Sequence, residues 1–127
     1  MWSQRQKDIM QKKIDLRHYT RELIRDVFQV TEHFPKTDPE QIGVNLRQKA
    51  LSVSSLTSHG TTKSDFEEQN QDFMLVMAEL REVLKFITIA HHLRFCSDQS
   101  KIRIRLAITN VINALDELVL LQQKEDD

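Results

Sequence analysis

Lys13, Arg17, Arg21 and Arg25 recur at intervals of four residues. On a helix that interval advances about 6 Å and turns about 40°, so the four cations form one strip. Ile14, Ile24 and Phe28 interleave with it, while Asp8, Asp15, Glu22 and Asp26 fall on the opposite flank. Such a strip holds phosphates, or it packs on an acidic protein face. Both readings stay open, and Arg47 joins them as a further candidate contact. The chain supplies an acidic face of its own. Between positions 65 and 82, Asp65, Glu67, Glu68, Asp72, Glu79 and Glu82 stand against Arg81 alone. Arg94, Lys101, Arg103 and Arg105 make a smaller basic group with the same two readings.

The five histidines raise the question of metal. His91 and His92 are adjacent, diverge by about 100° on a helix and do not chelate one ion. There is no His-Glu-x-x-His and no paired Glu-x-x-His, which a di-iron bundle takes from two helices. His91 reads as a hydrogen-bonded core edge and His59 as a cap for helix-end carbonyls. Cys96 is the one cysteine, so neither an intramolecular disulfide nor a cysteine-rich zinc site is expected. Cys96 and Ser97 lack an orienting third group and a glycine loop for an oxyanion hole. Phosphate-binding glycine motifs are absent. No metal, cofactor, small-molecule substrate or catalytic residue is expected.

The elements that must position these residues are helices. Two glycines and two prolines in 127 residues leave little turn chemistry for strands. Charged residues make up 29% and hydrophobic ones 39%, which describes a folded domain rather than a disordered one. A net charge of −1 does not mark a nucleic-acid binder, so any such role rests on local clusters. No apolar run approaches the ~20 residues that span a bilayer, and Met1-Trp2-Ser3-Gln4-Arg5-Gln6-Lys7 has no signal-peptide core. The expectation is a cytoplasmic protein.

Hydrophobic spacing predicts four helices over 7–33, 39–58, 65–94 and 98–123. The first carries Leu16, Leu23, Val27, Val30 and Phe34 inward and stops at Pro35. For the second, Asp38 caps, Pro39 takes the first turn, Gln41 completes a capping box and Gly60 closes the helix in a left-handed conformation. Its inner face is Ile42, Leu46, Ala50, Val53 and Thr57. The third opens on Ser64-Asp65-Phe66-Glu67 and buries Phe66, Phe73, Met77, Leu80, Leu84 and Ile87. Ser97 or Asp98 caps the fourth, which buries Ile104, Ile108, Val111, Leu115 and Leu118. The tail Lys124-Glu125-Asp126-Asp127 is expected to fray. Short connections make neighbours antiparallel, so residues 1–127 form a single all-α, up-down-up-down four-helix bundle.

The helices carry more apolar surface than one core uses. Met10, Ile14, Ile24 and Phe28 lie off the first core stripe. Leu75, Phe86, Ile89 and Leu93 lie behind the third, and Ile102, Leu106 and Leu120 behind the fourth. Burying one such side chain is worth ~1.5–3 kcal/mol, so a few hold subunits together. Leu75, Phe86, Leu93, Ile102 and Leu106 are the candidate interface of a homo-oligomer.

Phe34-Pro35-Lys36, then Ile42, Arg47, Ala50, Ser52, Ser55 and Gly60, resemble the second-helix signature of a bacterial family. Its members are the four-helix-bundle proteins of 23S rRNA intervening sequences. Glu82 to Phe95, with Ala90, Leu93 and Phe95, resembles the family's third helix. Ser55-Leu56-Thr57-Ser58-His59-Gly60 stands where the family has Ser-Asn-Ile-Ala-Glu-Gly, Gln48 where it has a second arginine, and Ser54 where it has proline. The resemblance implies a ring of bundles, typically a homopentamer, with no enzymatic activity. One branch is the accessory variability protein of diversity-generating retroelements, which partners a reverse transcriptase and binds nucleic acid. The resemblance thus implies an oligomeric accessory or scaffold protein, with itself, a reverse transcriptase and RNA or DNA as partners. The alternative is a self-assembling interaction module with no nucleic-acid role.

Overall fold

The computed structural model describes residues 1–125. Asp126 and Asp127, the end of the tail expected to fray, lie outside the described residues. The order is α1 (Gln4–Thr31), α2 (Ile42–Thr61), α3 (Phe66–His92) and α4 (Asp98–Glu125). Each start has a local chemical cause. Ser3 Oγ accepts the Gln6 amide at 3.2 Å, and the Gln6 side chain accepts the Ser3 amide at 2.9 Å. This capping box starts α1 three residues before Lys7, the start predicted from apolar spacing alone. Asp65 accepts the Glu67 amide at 3.3 Å to open α3, and Ser97 accepts the Ser100 amide at 3.1 Å to open α4.

The start of α2 departs from expectation. Pro39 belongs to a turn in which the Gln41 amide donates to the Asp38 carbonyl at 2.9 Å. Gln41 takes a left-handed φ of 52° and makes no side-chain cap. Asp38 still caps, but from outside the helix, where Oδ2 accepts the Gly43 amide at 3.0 Å. The proline's fixed φ thus serves the turn rather than the first helical turn. The end of α3 also has a left-handed residue, Arg94 at φ 62°, where the Phe95 amide donates to the Ala90 carbonyl at 2.9 Å. That is a Schellman closure with arginine in the place glycine favours.

Contacts between side chains fix the topology. Arg5 donates to the Leu121 carbonyl and Lys12 pairs with Glu117, so α1 and α4 run antiparallel. Arg47 reaches the end of α1 and Arg17 the end of α2, which orients that pair likewise. Lys49 pairs with Glu79 and His59 with Asp72, which does the same for α2 and α3. Helices adjacent in sequence touch and α4 closes on α1; among the described residues the diagonal pairs do not approach. The bundle is therefore a square with four lateral faces, of which the α3–α4 contact is the slightest.

The inward stripes of α1, α2 and α4 are those predicted, except that Phe34 is half-buried, stacked at 5.5 Å against Phe95 across the end of the bundle. The register of α3 is different. Its buried residues are Gln69, Phe73, Val76, Leu80, Val83, Ile87 and Ala90, spaced by four and three in alternation, with Asp72 beside them. Leu84 is exposed, and Phe66 and Met77 are half-buried. These three lie on the flank toward α4, where the slight α3–α4 contact leaves them only partly covered. Choosing the bulkier side chains over Val76 and Val83 rotates the predicted stripe by about 50°.

Gly60 does not close α2 in a left-handed turn: it lies within the helix and is buried. A Cβ there would sit 2.8 Å from Phe73 Cε1 and 3.1 Å from Asp72 Cβ, so glycine is what lets α2 and α3 touch. Gly60→Ala is expected to destabilise the fold by about 1–2 kcal/mol, despite alanine's better helix propensity. Denaturant unfolding of Gly60→Ala, with and without Phe73→Leu, measures this. A cost that Phe73→Leu leaves untouched would place the cause in backbone conformation instead.

Candidate binding faces

The α1–α2 face gathers the predicted strip. Arg17 Nη2 lies 3.4 Å from the Thr61 hydroxyl on α2, which fixes this flank of α1 toward α2. Arg21 is exposed one turn further on, and Lys13 is half-buried one turn before. Arg25 is exposed and pairs with Glu22, so it is the one member of the strip with a carboxylate on its own helix. Residues 42–61 contain no Asp or Glu, so α2 brings no acid to this face. Met10, Ile14, Val44 and Leu51 are exposed apolar residues of α1 and α2.

Arg47 stands apart from the strip. Its Nε donates to the Thr31 hydroxyl at 2.7 Å and its Nη2 to the Phe28 carbonyl at 3.2 Å. The guanidinium lies 4.5 Å from the Phe28 ring centroid. A cation at the end of α1 adds a second donor to the Phe28 carbonyl, which also accepts the Glu32 amide, and complements the helix dipole. Arg47 therefore joins α1 to α2, and Phe28 is covered by it rather than free.

Four of the five acids of α3 are held within the chain. Glu79 pairs with Lys49, Glu82 with Lys85, and Lys63 stands 3.8 Å from Glu68 and 3.7 Å from Asp72. Asp72 Oδ2 also meets His59 Nδ1 at 3.0 Å. His59 is thus an acid's partner and not the carbonyl cap expected of it. His91 bonds Asp98 across the α3–α4 turn, as expected of a hydrogen-bonded core edge.

Four of the five candidate interface residues divide between two faces. Leu75 is 53% exposed and Leu93 is also exposed, on the outer edge of α3 that also carries half-buried Phe86. Phe86 follows Glu79 by seven residues, so it shares the flank that Lys49 ties to α2. Ile102, 63% exposed, and Leu106 lie on α4. Leu106 borders a groove with His18, Tyr19, Asp26 and Arg103, which places it beside α1. In a square bundle the α2–α3 and α4–α1 faces are opposite each other. Leu75, Phe86 and Leu93 thus lie toward the α2–α3 face and Leu106 toward the opposite α4–α1 face, while Ile102, about 100° around the helix from Arg103, lies on the outer side of α4.

Arg103, read from sequence as part of a surface basic group, is instead committed to α1. Its Nε and Nη2 meet Asp26 Oδ1 at 2.9 and 2.7 Å, and it also donates to Gln29. No spacing rule within one helix announces a pair 77 residues apart. Cys96 is half-buried, and burial pushes its thiol up, partly offset by Lys101, which leaves little thiolate at neutral pH. Among the described residues no three His, Cys, Asp or Glu side chains come together as a metal site needs, and no helix is long and apolar enough to cross a membrane. No family model matches the sequence, and no curated protein does.

Proposed function

We propose that this chain is a non-enzymatic subunit that assembles through two opposite lateral faces and offers the α1–α2 face to nucleic acid. The observation that carries the reading is the position of the arginine strip on the α1–α2 face, between the two faces that carry candidate interface residues. Two different patches on opposite faces are what a head-to-tail contact uses, and such contacts generate rings when the rotation closes. The strip of Lys13, Arg17, Arg21 and Arg25 then stays clear of the subunit contact and free for phosphates. The acids of α3, four of the five already paired by Lys49, Lys63 and Lys85, are a poor counterpart for it. His59 and His91 each pair with an acid and Cys96 packs against the core, which supports a scaffold rather than a catalyst. The resemblance noted above extends the reading to an accessory role in the cytoplasm. The protein partner would be a nucleic-acid enzyme such as the reverse transcriptase of a diversity-generating retroelement, and the ring would have five members.

Light scattering is expected to give a mass several times the 15.0 kDa of one subunit, with five subunits as the specific expectation. Leu106→Glu or Leu75→Glu, each placing a charge in one patch, is expected to release folded monomer. Micromolar wild-type protein running as a monomer would remove the assembly from this reading.

A further inference from the structure

Among the described residues, the cations of the α1–α2 face that lack a carboxylate partner are Lys13, Arg17 and Arg21, all from α1. Arg17 reaches the Thr61 hydroxyl at 3.4 Å, Arg21 is exposed, and Lys13 is half-buried one turn before Arg17. The basic residues of α2 are Arg47, Lys49 and His59, and each is engaged within the chain. Arg47 donates to Thr31 and to the Phe28 carbonyl, Lys49 pairs with Glu79, and His59 meets Asp72. The face therefore presents one row of phosphate donors. The row advances about 6 Å for each cation, comparable to the step between successive phosphates of one strand. Uncharged hydroxyls border it. Ser54 and Ser58 follow Arg47 by seven and eleven residues, so they share its flank of α2, the one turned to α1.

Apolar side chains flank the row. Ile14 and Leu51 are each 48% exposed. Ile14 adjoins Lys13. Leu51 follows Arg47 by one turn, so on antiparallel helices it stands past the Arg21 end. A duplex gives such side chains little to cover, because its bases are stacked inside and sugar and phosphate face outward. A single strand exposes the flat apolar faces of its bases. We propose that the α1–α2 face takes a single strand of nucleic acid, with successive phosphates on Lys13, Arg17 and Arg21 and unstacked bases turned onto Ile14 and Leu51. This rests on the nucleic-acid reading of the same face and narrows its ligand. Structured RNA binds there by its loops and ends. Phe28, the aromatic ring of α1 on this flank, is covered by Arg47. The base contacts are therefore aliphatic and tolerant of sequence.

Fluorescence anisotropy at low salt tests this with probes of equal length: oligo(U), oligo(dT), a blunt DNA duplex, and an abasic strand that keeps the phosphates without the bases. Oligo(U) and oligo(dT) are expected to bind at least about tenfold tighter than the duplex and the abasic strand. The duplex has the denser charge, so a purely electrostatic face would prefer it. Ile14→Ser/Leu51→Ser is expected to weaken oligo(dT) about fivefold, with the salt slope and the abasic strand unaffected. Both side chains stand half out of the bundle, so the variant is expected to fold. Arg17→Ala lowers the slope for oligo(dT) by about 0.7 instead. Tighter binding of oligo(U) than of oligo(dT) assigns the strand to RNA, with Ser54 and Ser58 at the 2′ hydroxyl, and equal binding assigns any single strand. A duplex bound as tightly as oligo(dT), or an abasic strand bound as tightly, would overturn the single-strand assignment and leave nucleic acid on the face. No binding of any probe overturns the nucleic-acid reading with it. Vesicles of phosphatidylserine bound in place of the probes would assign the face to an anionic membrane surface.

Discussion

Arg103→Leu will lower stability by about 2–3 kcal/mol, a fall of about 10 °C in thermal midpoint for a chain of this length. The Asp26 side chain is 11% exposed, and the bonds at its Oδ1 come from Arg103. Removing the guanidinium leaves a carboxylate out of reach of most water. Complete burial would cost about 3–5 kcal/mol, but Arg103 is itself 45% exposed and water screens part of the loss. Replacing both partners, in Asp26→Leu/Arg103→Leu, should recover most of the deficit, because apolar side chains fill the groove without an orphaned charge. Lys12→Ala, which breaks the more exposed pair with Glu117, should cost less than about 1 kcal/mol. Denaturant melts at one fixed protein concentration compare the variants, since assembly makes the midpoint depend on concentration. An Arg103→Leu protein as stable as Lys12→Ala would show that the α1–α4 pair does not hold the bundle.

Four helices and three breaks were legible because a bundle repeats one local rule four times. Leu16, Leu23 and Val27 face inward for the same reason as Ile104, Ile108 and Val111: apolar recurrence at three and four residues survives without knowledge of the neighbours. The α3 register was not legible in this way. Two stripes run along that helix about 50° apart, and which one is inward depends on how closely α4 approaches. Gly60 misled for a related reason. A glycine at a helix end is often a left-handed cap, but here its missing Cβ is filled by Phe73, thirteen residues on and on another helix.

The binding faces were partly legible. Spacing alone places Arg17, Arg21 and Arg25 on one strip, and the structure locates the side of the bundle on which it lies. Spacing does not show that Arg47 and Arg103 are spent on Phe28, Thr31 and Asp26, because those partners come from other helices. Gln69 had a signal that went unread. It stands at a position where a four-and-three repeat runs through Phe73, Val76, Leu80 and Val83, and a glutamine inside such a repeat is a buried polar group in need of a partner.

Arg17→Glu/Arg21→Glu should reduce binding to structured RNA about a hundredfold while the oligomer keeps its mass. Free wild-type protein is expected to bind with log affinity falling linearly against log salt, each neutralised phosphate adding roughly 0.7–0.9 to the slope. Reversal removes two phosphate contacts and adds repulsion on a face where α2 supplies no compensating acid. Arg17→Ala alone should reduce the slope by about one phosphate without changing sequence preference. The neighbouring subunit gives the opposite pattern. If the strip met the α3 acids of the next copy, the double variant would dissociate, and charge reversal at Glu68 and Asp72 would partly restore the assembly. The intrachain pairs of Lys63 with both acids argue against that outcome, since each subunit contact would first have to break them. An intact oligomer that has lost salt-sensitive RNA binding assigns the arginines to nucleic acid. A monomer rescued by Glu68→Lys/Asp72→Lys assigns them to assembly and removes nucleic acid from the proposed function.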